Sequence, residues 1–248
     1  MTQHPPLQLQ DRHSDELVWF KRRSLLQAAG GWLAAGGFVA AHAQERSNMV
    51  DLRGDVLRNG QRLRPGEVLS ASERLETGPG STVVFAVGNS AFMVRPNSRV
   101  ALEGDTPTSV KVLRVLSGAV ASVWGPGSQR QITLPTATAG IRGTGVYAEV
   151  FADQGDRGYF CNCYGTVEVS TRGENVLSQA SYHQAYWVES EPRNGRLLTP
   201  AGAVNHTDEE LEFLAFLVQQ RTAWDISGVK GIKDGSGKTQ PPYGPPGS

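Results

Sequence analysis

Residues 49–190 are cut into short apolar runs by Gly, Asn and Pro, and this punctuation limits the fold more than any other feature. Asn59-Gly60, Arg64-Pro65-Gly66, Gly78-Pro79-Gly80 and Gly88-Asn89 read as turns. Between them lie runs rich in Val, Leu, Phe and Thr, such as Thr82–Val87, Ala91–Val94 and Arg99–Leu102. In Arg99–Glu103 the apolar Val100 and Leu102 alternate with other residues, the period of a half-buried strand. Thr82–Val87 is more continuously apolar, as expected of a strand covered on both faces. Val110–Leu116, Ala119–Trp124, Gln131–Leu134, Tyr147–Phe151, Gly158–Cys163, Thr166–Ser170 and Tyr182–Val188 continue the series. The expected fold is all-β: a jelly roll, a β-sandwich-like body or a β-roll.

One helix is expected after this body. Thr207-Asp-Glu-Glu210 has the capping-box form, and Leu211, Leu214, Ala215 and Val218 follow at helical spacing. The helix should run over about 207–221 and dock its apolar face on the β body. Residues 227–248 are mostly Gly, Pro, Lys, Ser and Thr, and they read as a flexible tail.

The N-terminal segment is an address. Residues 1–23 are polar and end in Lys21, Arg22 and Arg23, and residues 28–41 carry no charge. Ala41 and Ala43 form the small-residue pattern of a signal-peptidase site, with cleavage expected before Gln44. Arg22-Arg23 followed by Ser24-Leu25-Leu26 resembles the twin-arginine export signal. An apolar stretch of this length, holding Gly30, Gly31, Gly36 and Gly37, falls short of the roughly 20 residues that span a bilayer. The division is therefore a leader (1–43), a β domain (44–190), a loop with a docked helix (191–226) and a tail (227–248). Partners in export would be the twin-arginine translocase and signal peptidase. The expected location is the periplasm, free or tethered by an uncleaved leader.

Charge excludes some partners. The whole chain has 24 Lys+Arg and 24 Asp+Glu, and after residue 43 it has no basic run, so nothing points to nucleic acid. No hydrophobic stretch after residue 43 is long enough to span a bilayer. Two cysteines cannot make a disulfide scaffold, so a hydrophobic core must hold the domain.

Gly54–Gly60, Leu63–Gly66, Arg74–Gly78, Ser81–Val87 and Val94-Arg-Pro-Asn-Ser98 together resemble the opening of the FecR domain. Ala137–Gly145 resembles the glycine-arginine turn of that family, and the likeness covers about residues 50–150. It implies a periplasmic β module that senses or binds an envelope partner. The roughly 20 residues before the twin arginines are too few for the cytoplasmic anti-sigma domain of such regulators. Tyr159–Gly165 and Asn205–Asp208 resemble a subset of exported FecR-domain proteins.

Phe160-Cys161-Asn162-Cys163-Tyr164 is the one chemically loaded motif. On a strand, residues i and i+2 share a face, so both thiolates can reach one metal ion. Beyond the leader the only histidines are His183 and His206. Two sulfurs and two imidazoles make a closed tetrahedral site of the zinc type, or a site for copper. His206 stands just before the helix start, where the dipole disfavours imidazolium. The alternatives are a Cys161–Cys163 disulfide, which needs a bent strand, and two inert buried thiols.

Gly140-Ile-Arg-Gly143 reads as a tight turn whose Arg142 pairs with a carboxylate, and Trp124, Tyr186 and Trp187 read as core. No nucleophile elbow, P-loop or H-E-x-x-H occurs, and no catalytic residue is expected. Three functions remain: a non-catalytic FecR-type binding module, a Cys2His2 metalloprotein, and a structural or carbohydrate-associated β domain.

Overall fold

The computed structural model describes residues 47–127 and 130–239. Arg22, Arg23, Ala41 and Ala43 lie outside the described residues, as do residues 240–248. The described residues are mostly strand, with a single 3-10 turn at Ala152–Gln154 and two α-helices that follow the long strands. The first strands are β1 (Met49–Arg53), β2 (Val56–Arg58), β3 (Gln61–Arg62), β4 (Arg74–Thr77), β5 (Thr82–Val87), β6 (Ser90–Val94) and β7 (Arg99–Thr106). Then come β8 (Ser109–Trp124), β9 (Arg130–Thr133), β10 (Thr138–Phe151), β11 (Arg157–Ser170), β12 (Asn175–Ala180), β13 (Tyr182–Arg193) and β14 (Arg196–Ala201). Two helices, α1 (Asp208–Leu217) and α2 (Ala223–Ser227), precede the short β15 (Ser236–Gly237).

All strands join one hydrogen-bonded sheet that folds over on itself, as in a sandwich. The expected turns sit where the sequence puts them. Asn59 and Gly60 both have positive φ and link β2 to β3, while Gly88-Asn89 links β5 to β6.

The long strands make the fold. Val110–Leu116 and Ala119–Trp124, expected as separate strands, are the two halves of β8. The first half pairs with β7, and the second half pairs with β6 and β10. The bend between them is Gly118, at φ +72°. A Cβ there would lie 2.3 Å from Ser98 Oγ and 2.6 Å from Asn97 O, so only glycine lets the layers approach. Strand β10 likewise pairs with β9 over Thr138–Ile141 and with β8 over Gly145–Val150. The expected Gly140–Gly143 turn is therefore strand, with the register shift between Arg142 and Gly145. A bulge lets a strand change sheet without ending, and in sequence it reads like a turn. Strand β11 pairs with β13 over Gly158–Asn162 and with β12 over Gly165–Ser170.

Alternation along β10 and β11 divides two apolar clusters. Val146, Ala148 and Phe160 face the cluster between the layers, with Phe85, Phe92 and Trp124. Tyr147, Tyr159, Cys161 and Cys163 face the other way, into a second cluster that α1 and α2 cover with Leu211, Leu214 and Trp224. Trp124 and Tyr186 are core as expected, while Trp187 is only half-buried.

Helix α1 starts as its sequence predicts. Glu210 N donates to Thr207 Oγ1 at 3.3 Å, and Thr207 N donates to Glu210 Oε2 at 2.9 Å. The buried Arg95–Glu210 ion pair ties the turn after β6 to this first turn of α1. The helix ends earlier than residue 221, because Gln219 turns left-handed at φ +56°. Thr222 then caps the short α2.

Two further features differ from expectation. Within the segment expected as loop, Arg196–Ala201 forms β14, paired to β13 through the Asn194-Gly195 turn. Within the expected tail, Ser236–Gly237 pairs with β13 and residues 230–239 dock on the body. Few of those residues are apolar; backbone hydrogen bonds and lysine contacts hold them, which composition does not report. No helix among the described residues is long and apolar enough to cross a membrane.

Candidate metal centre

The site starts from the register of β11. Cys161 pairs with Tyr147 on β10 and with Ala185 on β13. The ladder between β11 and β13 ends at Asn162 and Gln184, and His183 is the next residue of β13. His183 therefore comes from β13, and His206 arrives from the loop that leads into α1. All four side chains are buried: Cys161, Cys163 and His183 are 0% exposed, and His206 is 5% exposed.

The ligand atoms converge. The two sulfurs are 3.8 Å apart, and both cysteines are free. Cys161 Sγ is 3.6 Å from His183 Nδ1, and Cys163 Sγ is 3.4 Å from His206 Nε2. His183 Nδ1 and His206 Nε2 are 3.0 Å apart, and all four atoms lie within 4.8 Å of one another. Metal–sulfur and metal–nitrogen bonds of about 2.3 and 2.0 Å space tetrahedral ligand atoms by roughly 3.3–3.8 Å. The cluster thus has the dimensions of a one-ion site.

The outer nitrogens fix the tautomers. His183 Nε2 faces Asp208 Oδ1 at 3.0 Å, and His206 Nδ1 faces the Val204 carbonyl at 2.7 Å. Carboxylate and carbonyl oxygens only accept, so each outer nitrogen carries the proton. In a neutral ring, the form that binds a metal ion, the inner nitrogen then holds a lone pair. Two lone pairs facing each other at 3.0 Å repel unless a cation, a proton or a metal ion, lies between them.

Asp208 is the hub behind the ligands. Its oxygens accept from His183 Nε2, from Tyr182 Oη at 3.0 Å, and from Lys230 and Lys233 Nζ at 2.9 Å each. Burial pushes its carboxyl up, but the His183, Lys233 and Lys230 contacts outweigh that and hold it well below the usual carboxylate range. Burial and the neighbouring Cys161 sulfur push the Cys163 thiol up. Burial opposes the Cys161 thiolate too, yet Cys163 and the two histidines bring its thiol down.

Aromatic rings wall the centre. Tyr147 stacks on His206 at 4.7 Å between centroids, and Trp224 of α2 stacks on His183 at 5.3 Å. Tyr159 Oη donates to Gly202 O at 2.8 Å and accepts from Val204 N at 3.1 Å. That anchors the loop whose carbonyl orients His206.

The structure brings together all four residues singled out by sequence. Sequence reasoning missed the roles of Asp208, Lys230 and Lys233. Asp208 stands two residues after His206, a spacing that hints at support for a ligand; the lysines carry no such signal. Arg142, expected to pair with a carboxylate, is exposed on β10.

No family model matches the chain, and no curated protein matches it. Two solved structures of a candidate anti-sigma factor from Parabacteroides distasonis ATCC 8503 align with it. Their TM-scores are 0.42 and 0.43, with 10% and 8% sequence identity. In both, the alignment spans 51% of this chain and 58% of that chain.

Proposed function

We propose that this protein is an exported, non-catalytic binding or sensing module of the bacterial envelope, built around a closed Cys2His2 metal centre. One observation carries the metal reading. Two buried imidazoles, each with its proton directed outward, turn their lone pairs onto one point that two cysteine sulfurs also face. Four protein ligands complete a tetrahedron and leave no position for a substrate, so the ion stabilises rather than reacts. Two thiolates and two neutral rings balance a divalent cation, which favours zinc; copper(I) is the competing ion for a sulfur-rich set. The envelope role rests on the likeness of residues 50–150 to the FecR domain and on the Arg22-Arg23 leader.

The test is the metal content of mature protein purified without affinity tags that bind metal. About one zinc or copper ion per chain is expected, falling below about a tenth of that in a Cys161→Ser/Cys163→Ser variant. Cobalt(II) exchanged into the site should give the intense visible bands of a tetrahedral sulfur–nitrogen centre. A native protein that stays metal-free after refolding with zinc or copper(I) would overturn the reading.

A further inference from the structure

We infer that residues 228–239 act as a lock on the metal centre: their docking slows escape of the ion, and the bound ion holds the segment down. This rests on the metal reading above. The segment has little apolar surface of its own; Ile232 is 63% exposed, and its buried residues are Gly235 and Gly237. Its attachments instead bracket the ligands. Gly237 and Ser236 pair with Tyr182 and Gln184, the two neighbours of His183. Lys233 Nζ reaches Asp208 Oδ1 at 2.9 Å and the His206 carbonyl at 3.4 Å. Lys230 Nζ bridges Asp208 and Glu212 at 2.9 Å each, and Ala203 N donates to Lys233 O at 3.1 Å.

The coupling has a physical cause. His183 sits at φ +37°, a left-handed conformation that a non-glycine residue holds only when its surroundings enforce it. The ladder to β15 shifts register at that residue. An ion would tie His183 Nδ1 and His206 Nε2, 3.0 Å apart, to one point, and so cross-link β13 to the loop before α1. The segment is fastened to both sides of that cross-link, at Tyr182 and Gln184 and at the His206 carbonyl. By linkage, an ion that favours the docked segment is itself held more tightly by it.

Gly235 provides the test. It has φ +82°, and a Cβ there would lie 1.7 Å from the Ala201 carbonyl, so Gly235→Ala in the full mature chain displaces the segment and leaves every ligand intact. Ion content is measured first, then the rate of ion transfer to excess chelator, then tryptic cleavage at Lys230, Lys233 and Lys238. The variant should bind the same one ion and release it about 5- to 150-fold faster. In native protein the three lysines should resist trypsin when the ion is bound and become cleavable after chelation. Gly237→Ala serves as the second variant, with the same expectation: φ is +82° there, an added Cβ would lie 2.9 Å from Gln184 Cβ, and all three lysines remain. Unchanged release from a variant whose segment trypsin now cuts would overturn the lock, as would native cleavage that ignores the ion. Both outcomes leave the metal centre standing; a protein that takes up no ion fails the metal reading itself and the lock with it.

Discussion

His183 shows how single residues set this centre. Its left-handed backbone within β13 aims Nδ1 at the sulfurs while Nε2 keeps its bond to Asp208. Strain of this kind costs on the order of 1–3 kcal/mol and persists where surrounding contacts over-determine it. Asp208 supplies one such contact without touching the ligand position itself. Outer partners of this type fix the ring and raise its basicity, and their loss typically costs about 10- to 100-fold in metal affinity. Asp208→Asn should therefore weaken zinc binding by that factor, read by competition with a chelator of known affinity. Unchanged affinity would mean that the carboxylate only anchors Lys230 and Lys233. The four candidate ligands were legible in the sequence, because Cys161, Cys163, His183 and His206 are the only cysteines and histidines after residue 43. Asp208 was not, because an acidic residue in a first helical turn already has a reason to be there.

At the scale of elements, α1 begins just after His206, the fourth member of the candidate site. The reciprocal Thr207–Glu210 cap fixes the chain one residue after His206, and the buried Arg95–Glu210 pair pins that cap to the body. Thr207→Ala leaves the Glu210 amide without its side-chain acceptor and should cost about 1 kcal/mol. A lower urea midpoint with an unchanged slope is the expected measurement. No shift would mean that tertiary packing alone holds the helix start. The cap was readable from Thr207-Asp-Glu-Glu210, since it depends on neighbours in the chain. The fused strands were not readable. Gly118 and the register shift after Arg142 look in sequence like strand ends, yet β8 and β10 run through them and change partners. A glycine signals freedom at its own position; whether the chain turns back or only bends there depends on which strand waits on the far side.

At the scale of the molecule, one folded sheet with a covered outer face presents a finished body that the proposed twin-arginine route would carry folded. Lysines in place of Arg22 and Arg23 should leave full-length, uncleaved protein in the cytoplasm, seen by fractionation and mass. Normal maturation of that variant would reject the export proposal. The sequence by itself determined the all-β class, the turn at Asn59-Gly60, the shared face of Cys161 and Cys163, and the start of α1. Each of these follows from local conformational preference or from the two-residue period of a strand, and both act over a few bonds. Only the tertiary structure decided that β13 returns beside β11 in the register that faces His183 toward Cys161. It also decided that the loop before α1 lays His206 against Tyr147, and that residues 230–239 fold back onto Asp208. Those meetings join positions 22 to 59 residues apart, and cooperative burial of both faces of the sheet selects them, not the preference of any one segment.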